Sequence, residues 1–249
     1  MSADLSGRVA LVTGGTKGLG LGIAKAFREA GAHVLVCARN APTDLIDHFV
    51  AADLRDPEGA GAVVAAAVDE WGRLDIVVNN AGGAPPAPAA DMSPNFVSKI
   101  IGLNLLAPLY VAQAAYPAMT AQAEGGVIIN IGSLSGHRPS PGSSAYGAAK
   151  AGLANLTTTL AMEWAPKVRV NEVMVGYLET EQSGLFYGDE AGIARVAQTV
   201  PMHRLAQPSD VAAACLYLAS PGAAFITGAS LAVHGGGEPP PFLSAVSHE

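Results

Sequence analysis

Residues 9–20 read Val-Ala-Leu-Val-Thr-Gly-Gly-Thr-Lys-Gly-Leu-Gly. The apolar run Val9–Val12 ends in a glycine cluster. Ile23–Ala30 then carries apolar positions at helical spacing until Gly31 stops it. A strand, a tight turn and a helix N-terminus therefore follow one another. Glycines let the backbone turn sharply and approach a ligand closely. The free N–H groups of a helix's first turn, at its positive dipole end, suit a phosphate. The spacing Gly-x3-Gly-x-Gly is weak by itself; its place between a strand and a helix raises it above an ordinary turn.

Working outward, the alternation repeats. Val34–Cys37, Val50–Ala52, Asp75–Val78, Val127–Ile131, Val168–Val175 and Ser230–Val233 read as strands. Ala60–Trp71, Phe96–Met119 (with Pro108 as a candidate bend), Ala145–Trp164 and Val211–Leu218 read as helices. Short buried strands alternating with helices predict an α/β fold. The expected form is a single-domain, Rossmann-type doubly wound parallel sheet with helices on both faces. No composition break divides the chain, and Gly83–Pro94 reads as a loop. The expected organisation is one domain over 1–237, with a substrate lid at about 181–201 and a Pro-rich tail at 238–249.

Composition narrows the function classes. Hydrophobic residues make up 50% of 249 and charged residues 14%, enough for a sizeable core and too apolar for disorder. The formal charge is −7, without a basic stripe, so no nucleic-acid partner is expected. Cys37 and Cys215 are too few for a disulfide framework and read as buried thiols in a reducing compartment. The opening residues show no basic segment followed by an apolar one, so no signal peptide is expected. No stretch approaches the roughly 18 uninterrupted apolar residues of a membrane span, so no membrane partner is expected and a cytoplasmic protein is. The 6 histidines include no i, i+4 pair and there is no Cys-x2-Cys, so no metal site is expected.

Further motifs follow in order. Asn79-Asn80-Ala81-Gly82 closes the fourth strand. Asn104 is a polar residue in an apolar helical stretch and needs partners there. Ser133 stands at a strand's carboxyl end, where ligands of open α/β sheets sit. Tyr146 and Lys150, four apart, share one helix face. Gly176-x3-Thr180 and the late Gly228, Gly235 and Gly236 complete the series. With Thr13-Gly14-x3-Gly18-x-Gly20, this set resembles the short-chain dehydrogenase/reductase family over roughly residues 5–237. The resemblance implies a nicotinamide-dependent interconversion of a small-molecule alcohol and carbonyl. It implies catalytic roles for Asn104, Ser133, Tyr146 and Lys150. It also implies cofactor contacts from Gly14, Thr16, Lys17, Gly18, Leu19, Gly20, Arg39, Asp53, Leu54, Asn80, Ala81, Gly82, Tyr146, Lys150, Gly176, Leu178 and Thr180.

The choice between the two nicotinamide cofactors turns on charge. About twenty residues past the glycines a dinucleotide site needs a group on the adenosine ribose. That position is Ala38, followed by Arg39, with Lys17 in the turn. A carboxylate would accept from a free 2′-hydroxyl, whereas a guanidinium grips a phosphate. NADP is therefore expected. NAD is the alternative, with Arg39 stacking on adenine and Asp44 or Asp47 supplying the acid. Asp53 reads as an adenine contact, as a cap, or as both.

A free phenol, with a pKa of about 10, is a poor base at neutral pH. A neighbouring ammonium favours the phenolate and pulls Tyr146 toward acid/base use. Ser133 would hold the substrate oxygen, Tyr146 would pass it a proton, and Lys150 would lower the Tyr146 pKa and hold the nicotinamide ribose. The resemblance gives Asn104 a water linking Lys150 to solvent. His137 and Arg138 read either as pocket lining or as exposed loop. The lid segment, with Leu185, Phe186, Tyr187, Ile193 and Val196, suggests an apolar substrate or an amphipathic helix.

The sequence departs from the family at Val175, where the family commonly has proline. It also has Gly125-Gly126-Val127 where relatives that reduce carrier-bound acyl chains tend to show arginine. Lys167 and Arg169 are the modest substitute. A 3-oxoacyl-thioester reductase and a catalytically silent nucleotide-binding relative are the rival readings. An epimerase or dehydratase is a third, which the chain length disfavours. Leu109, Val111, Leu156 and Leu160 read as apolar surface left over by the sheet. They suggest helix pairing between subunits rather than a monomer. The resemblance implies the same pairing, with a second interface through the last strand that makes a homotetramer.

Overall fold

The computed structural model describes residues 4–42, 48–181, 183–240 and 242. Asp44, Asp47 and most of the tail expected at 238–249 lie outside them. Seven strands form one parallel sheet: β1 Val9–Thr13, β2 His33–Ala38, β3 Phe49–Ala51, β4 Ile76–Asn79, β5 Gly126–Ser133, β6 Val168–Val175 and β7 Ser230–Val233, ordered β3-β2-β1-β4-β5-β6-β7. The order runs outward both ways from β1 and β4, so the chain reverses its winding between them, where such sheets open a crevice at their carboxyl ends.

Alternate residues feed two separate cores. Ala10, Val12, Val34, Val36, Ile129 and Val173 pack against α1 (Gly18–Glu29) and α8 (Pro208–Ala219). Val9, Leu11, Leu35, Val77, Ile128 and Val170 pack against α2 (Pro57–Trp71), α4 (Ala107–Ala121) and α5 (Ser144–Trp164). This is why the strands read as continuous apolar runs rather than alternating ones. Cys37 and Cys215 are free and buried, one in each core, and burial pushes each thiol up to about 12.

The helix expected at Phe96–Met119 is longer and broken. It begins as α3 (Pro94–Ile101), passes through a π-helical turn at Gly102–Leu106, and continues as α4. Asn104 lies in this turn, and its Nδ2 donates to the Ile100 carbonyl oxygen at 2.9 Å. Pro108 sits harmlessly in the first turn of α4. The run Pro94–Ala121 has the length and mean hydropathy of a membrane span, although Asn95, Ser98, Lys99 and Asn104 interrupt its apolar residues. In this fold its buried stripe, including Val111, Ala112, Ala115 and Met119, lies on the sheet.

The surface expected for assembly is likewise corrected. Val111 and Leu160 are buried against the sheet, while Leu109 and Leu156 pack beside them half-buried. The outer faces carry Ala148, Ala151 and Met162, which is 85% exposed. The expected lid contains two short helices, α6 (Ser183–Tyr187) and α7 (Glu190–Gln198), the latter capped by Asp189 accepting from Gly192 N at 2.8 Å.

Candidate active site

The glycine turn lies between β1 and α1 and is locked from β4. Gly14 adopts φ +64°, which favours glycine. A Cβ on Gly20 would stand 2.2 Å from the Gly14 carbonyl oxygen, so only glycine lets α1 start this close. Thr13 Oγ1 accepts from Asn80 N and Ala81 N, each at 2.9 Å, and Asn80 Nδ2 donates to Thr13 O at 2.9 Å. The neighbouring Asn79 points its amide elsewhere. Its Nδ2 donates to Asn130 Oδ1 at 2.9 Å, and Asn130 Nδ2 donates to Thr157 Oγ1 of α5 at 2.9 Å.

One cleft of about 430 Å³ runs from this turn to the carboxyl ends of β5 and β6. It is lined by Gly14, Thr16, Lys17, Gly18, Leu19, Gly20, Arg39, Asn80, Ala81, Gly82, Ser133, Tyr146, Lys150, Gly176, Leu178 and Thr180. Sequence reading proposed each of these. Asp53 and Leu54 fall in a smaller pocket of about 60 Å³ with Arg39, Ala38 and Leu103. Asp53 is not the cap of α2; Asp56 is, accepting from Glu58 N at 3.1 Å. Instead Arg55 Nε donates to Asp53 Oδ1 at 2.9 Å, and this contact holds the carboxyl down to about 2. Lys17 and Arg39 both reach the main cleft with exposed side chains. A glycine-rich bend, a helix N-terminus and two cations suit the phosphates of a dinucleotide.

Lys150 is buried on α5, and its Nζ donates to the Ile131 carbonyl oxygen at 2.7 Å. Burial lowers its pKa to about 8, and the nearby Glu172 carboxylate resists that fall. The Tyr146 ring lies 5.7 Å from Nζ. Here the expected direction is reversed: burial raises the Tyr146 pKa, and the Ser133 hydroxyl only partly offsets it. In the cofactor-free protein Tyr146 is a neutral phenol at neutral pH, ready to donate a proton.

Asn104, 0% exposed, is not free to hold a water through its whole amide. Its Oδ1 accepts from Gly83 N at 2.8 Å and its Nδ2 donates to Gly83 O at 3.0 Å. It fixes the backbone just beyond Asn79-Asn80-Ala81-Gly82. A Cβ on Gly82 would meet Asn104 Oδ1 at 2.7 Å.

A second cavity, about 330 Å³, shares Ser133, Tyr146 and Gly176 with the first. Pro86, Phe186 and Tyr187 give it apolar walls. The pair His137 and Arg138 splits: Arg138 lines this cavity, while His137 turns to Glu172. Arg138 is neutralised by Glu238, whose carboxylate also accepts from Tyr177 Oη. Lys167 and Arg169 lie at the opposite end of the sheet, before and at the start of β6. Arg169 is spent on the carbonyl oxygens of Ile226 and Leu218, at 3.1 and 2.8 Å. Val175 continues β6, paired between Ser133 and Val233, so the missing proline leaves the strand regular. Sequence reading missed Glu172, a charge inside the apolar run of β6; Phe186, placed in the expected lid, lines both cavities. Among the described residues no group of three metal-binding side chains occurs.

The chain matches the family described as enoyl-(acyl carrier protein) reductase over residues 14–238. An uncharacterized oxidoreductase of Mycobacterium tuberculosis is 39% identical over 243 residues, covering 93% of this chain and 92% of that one. A 3-oxoacyl-[acyl-carrier-protein] reductase of Vibrio cholerae is 38% identical, covering 94% and 98%. The ligand-free aldohexose dehydrogenase of Thermoplasma acidophilum superposes with a TM-score of 0.90 at 30% identity, covering 99% and 98%. The chain belongs to the short-chain dehydrogenase/reductase family. It is an oxidoreductase of that family, one whose members use a nicotinamide cofactor.

Proposed function

We propose that the protein transfers a hydride between NADP(H) and a secondary alcohol or ketone, with Tyr146 as general acid/base. The observation that carries this is the convergence of Ser133, Tyr146 and Lys150 with the glycine turn, Lys17 and Arg39 on one cleft. A bound nicotinamide supplies the hydride. Ser133 Oγ holds the substrate oxygen beside the phenol. Tyr146 Oη gives that oxygen a proton in reduction and takes it back in oxidation. Lys150 keeps positive charge near the phenol. Asn104 holds the backbone at Gly83. Arg39 and Lys17, without a carboxylate at Ala38, favour a ribose phosphate over a free hydroxyl.

The substrate side is apolar at Pro86, Phe186 and Tyr187, which supports a carbonyl on an apolar body. A 3-oxoacyl thioester is the second reading, favoured by the Vibrio cholerae relative's name. The burial of Arg169 and the remoteness of Lys167 disfavour docking of an acidic carrier there. The intact Asn104, Ser133, Tyr146 and Lys150 disfavour a silent relative. We further infer a cytoplasmic homotetramer.

Cofactor absorbance tests the function directly. Ketones, secondary alcohols and 3-oxoacyl thioesters are screened with NADPH and NADH in parallel. Turnover with NADPH on a simple ketone supports the proposal. Turnover confined to thioesters supports the second reading, and none on any class supports the silent one.

A further inference from the structure

β6 carries a carboxylate into the protein interior. Glu172 is 1% exposed and stands on the sheet face covered by α5. Space for it exists because residue 132, beside Ser133, is glycine: a Cβ there would sit 1.8 Å from Glu172 Oε1. Two groups touch the carboxylate. Ser230 Oγ of β7 donates to Oε2 at 2.6 Å, and His137 Nε2 approaches the two oxygens at 3.3 and 3.4 Å. His137 is one-third exposed and connects the carboxylate to the surface. Gly132 is next to Ile131, whose carbonyl oxygen accepts from Lys150. Gly132 thus leaves room for the carboxylate and is bonded to the residue whose carbonyl anchors the lysine. Besides His137, the charged group facing it is Lys150, from α5.

A carboxylate taken this far from water is costly unless a cation or strong donors compensate it. Ser230 is neutral, and His137 is cationic only when protonated. The permanent opportunity is Lys150, itself buried and held at a single backbone carbonyl. Each charge thus offsets the other's loss of water.

We propose that Glu172 is a positioning residue of the catalytic centre, acting through Lys150 to keep its ammonium charged beside Tyr146. This rests on the reading of Tyr146 and Lys150 as the proton-transfer pair. One proton is shared between two arrangements: ammonium with phenolate, and neutral amine with phenol. A carboxylate near the lysine favours the first. Without it the proton moves to the tyrosine, and alcohol oxidation, which needs the phenolate, requires a higher pH.

The test uses Glu172→Gln, Glu172→Ala and the charge-keeping Glu172→Asp in the full chain. Nitrogen NMR of labelled lysine follows Lys150, assigned by its loss in Lys150→Met. The Lys150 midpoint is expected to fall by about one on the pH scale in both neutral variants and to stay in place in Glu172→Asp. The acid limb of alcohol oxidation is expected to rise together with that fall. An unmoved Lys150 midpoint in folded neutral variants overturns the proposal. So does failure of both neutral variants to fold, since that marks Glu172 as structural. Absent turnover in the unmodified protein would instead overturn the oxidoreductase reading, and the NMR midpoint would still decide the role of Glu172.

Discussion

Lys150 Nζ donates to the Ile131 carbonyl oxygen in a 2.7 Å hydrogen bond, and the side chain is buried around it. Its pKa of about 8 lies below its ordinary value of 10.5. Between those values the unfolded chain binds the extra proton, so this group makes stability rise with pH across that window. Below about 8 the full cost of a buried ammonium is present. Relative to Lys150→Met, the unmodified protein is therefore expected to gain stability as pH rises from about 8 to 10.5. Urea unfolding at several pH values measures this, and a stability difference that does not change with pH would contradict it.

Tyr146→Phe keeps the ring in place and removes the exchangeable proton. Turnover is expected to fall by about 10²–10⁴-fold. Cofactor affinity, followed by fluorescence titration, should stay within about twofold, because the phosphate-binding side of the cleft is untouched. Near-normal turnover would move the chemistry elsewhere.

Arg39 is an exposed cation on the cleft wall, and Lys17 is a second one in the turn. NADPH is expected to bind more tightly than NADH. Arg39→Ala should narrow that preference by roughly tenfold or more, the worth of a lost charge-assisted phosphate contact. Equal affinities in the unmodified protein would show that the guanidinium meets no ribose phosphate.

Gly132 and Glu172 compete for the same volume. Gly132→Ala alone is expected to cost about 1–3 kcal/mol through overpacking of β5 on β6. Combined with Glu172→Ala, which vacates the space, the same change should cost far less. Thermal unfolding of the four proteins gives the coupling, and additive effects would disprove the steric conflict.

Much of this site is legible in the residues themselves. The strand, turn and helix at 9–20 need only local chemistry, and the positions of Ser133, Tyr146 and Lys150 follow once the strand ends are known. The π-helical turn at 102–106 is not legible, because the sequence does not show that the Asn104 amide is tied to Gly83 of the loop after β4 as well as to Ile100. Val111 and Leu160 look like surplus surface because both helices are apolar on more than one face; only the docked sheet decides which face is covered. Glu172 reads as a solvated residue until β6 is known to lie between β5 and β7, covered by α5. Lys167 misleads for a simpler reason: residues before a strand stand at its amino end, away from the crevice.

Asn79 and Asn80 are consecutive, yet one is tied through Asn130 to Thr157 on α5 and the other to Thr13 at the glycine turn. A single peptide unit at the end of β4 is thus a hinge pin shared by the nucleotide-binding half and the helix that carries Tyr146. Neither half can loosen by itself without pulling on that pin. In hydrogen exchange, amide protons near Ala81 and those in the middle of α5 are therefore expected to share one opening event, with a common free energy, instead of two independent ones.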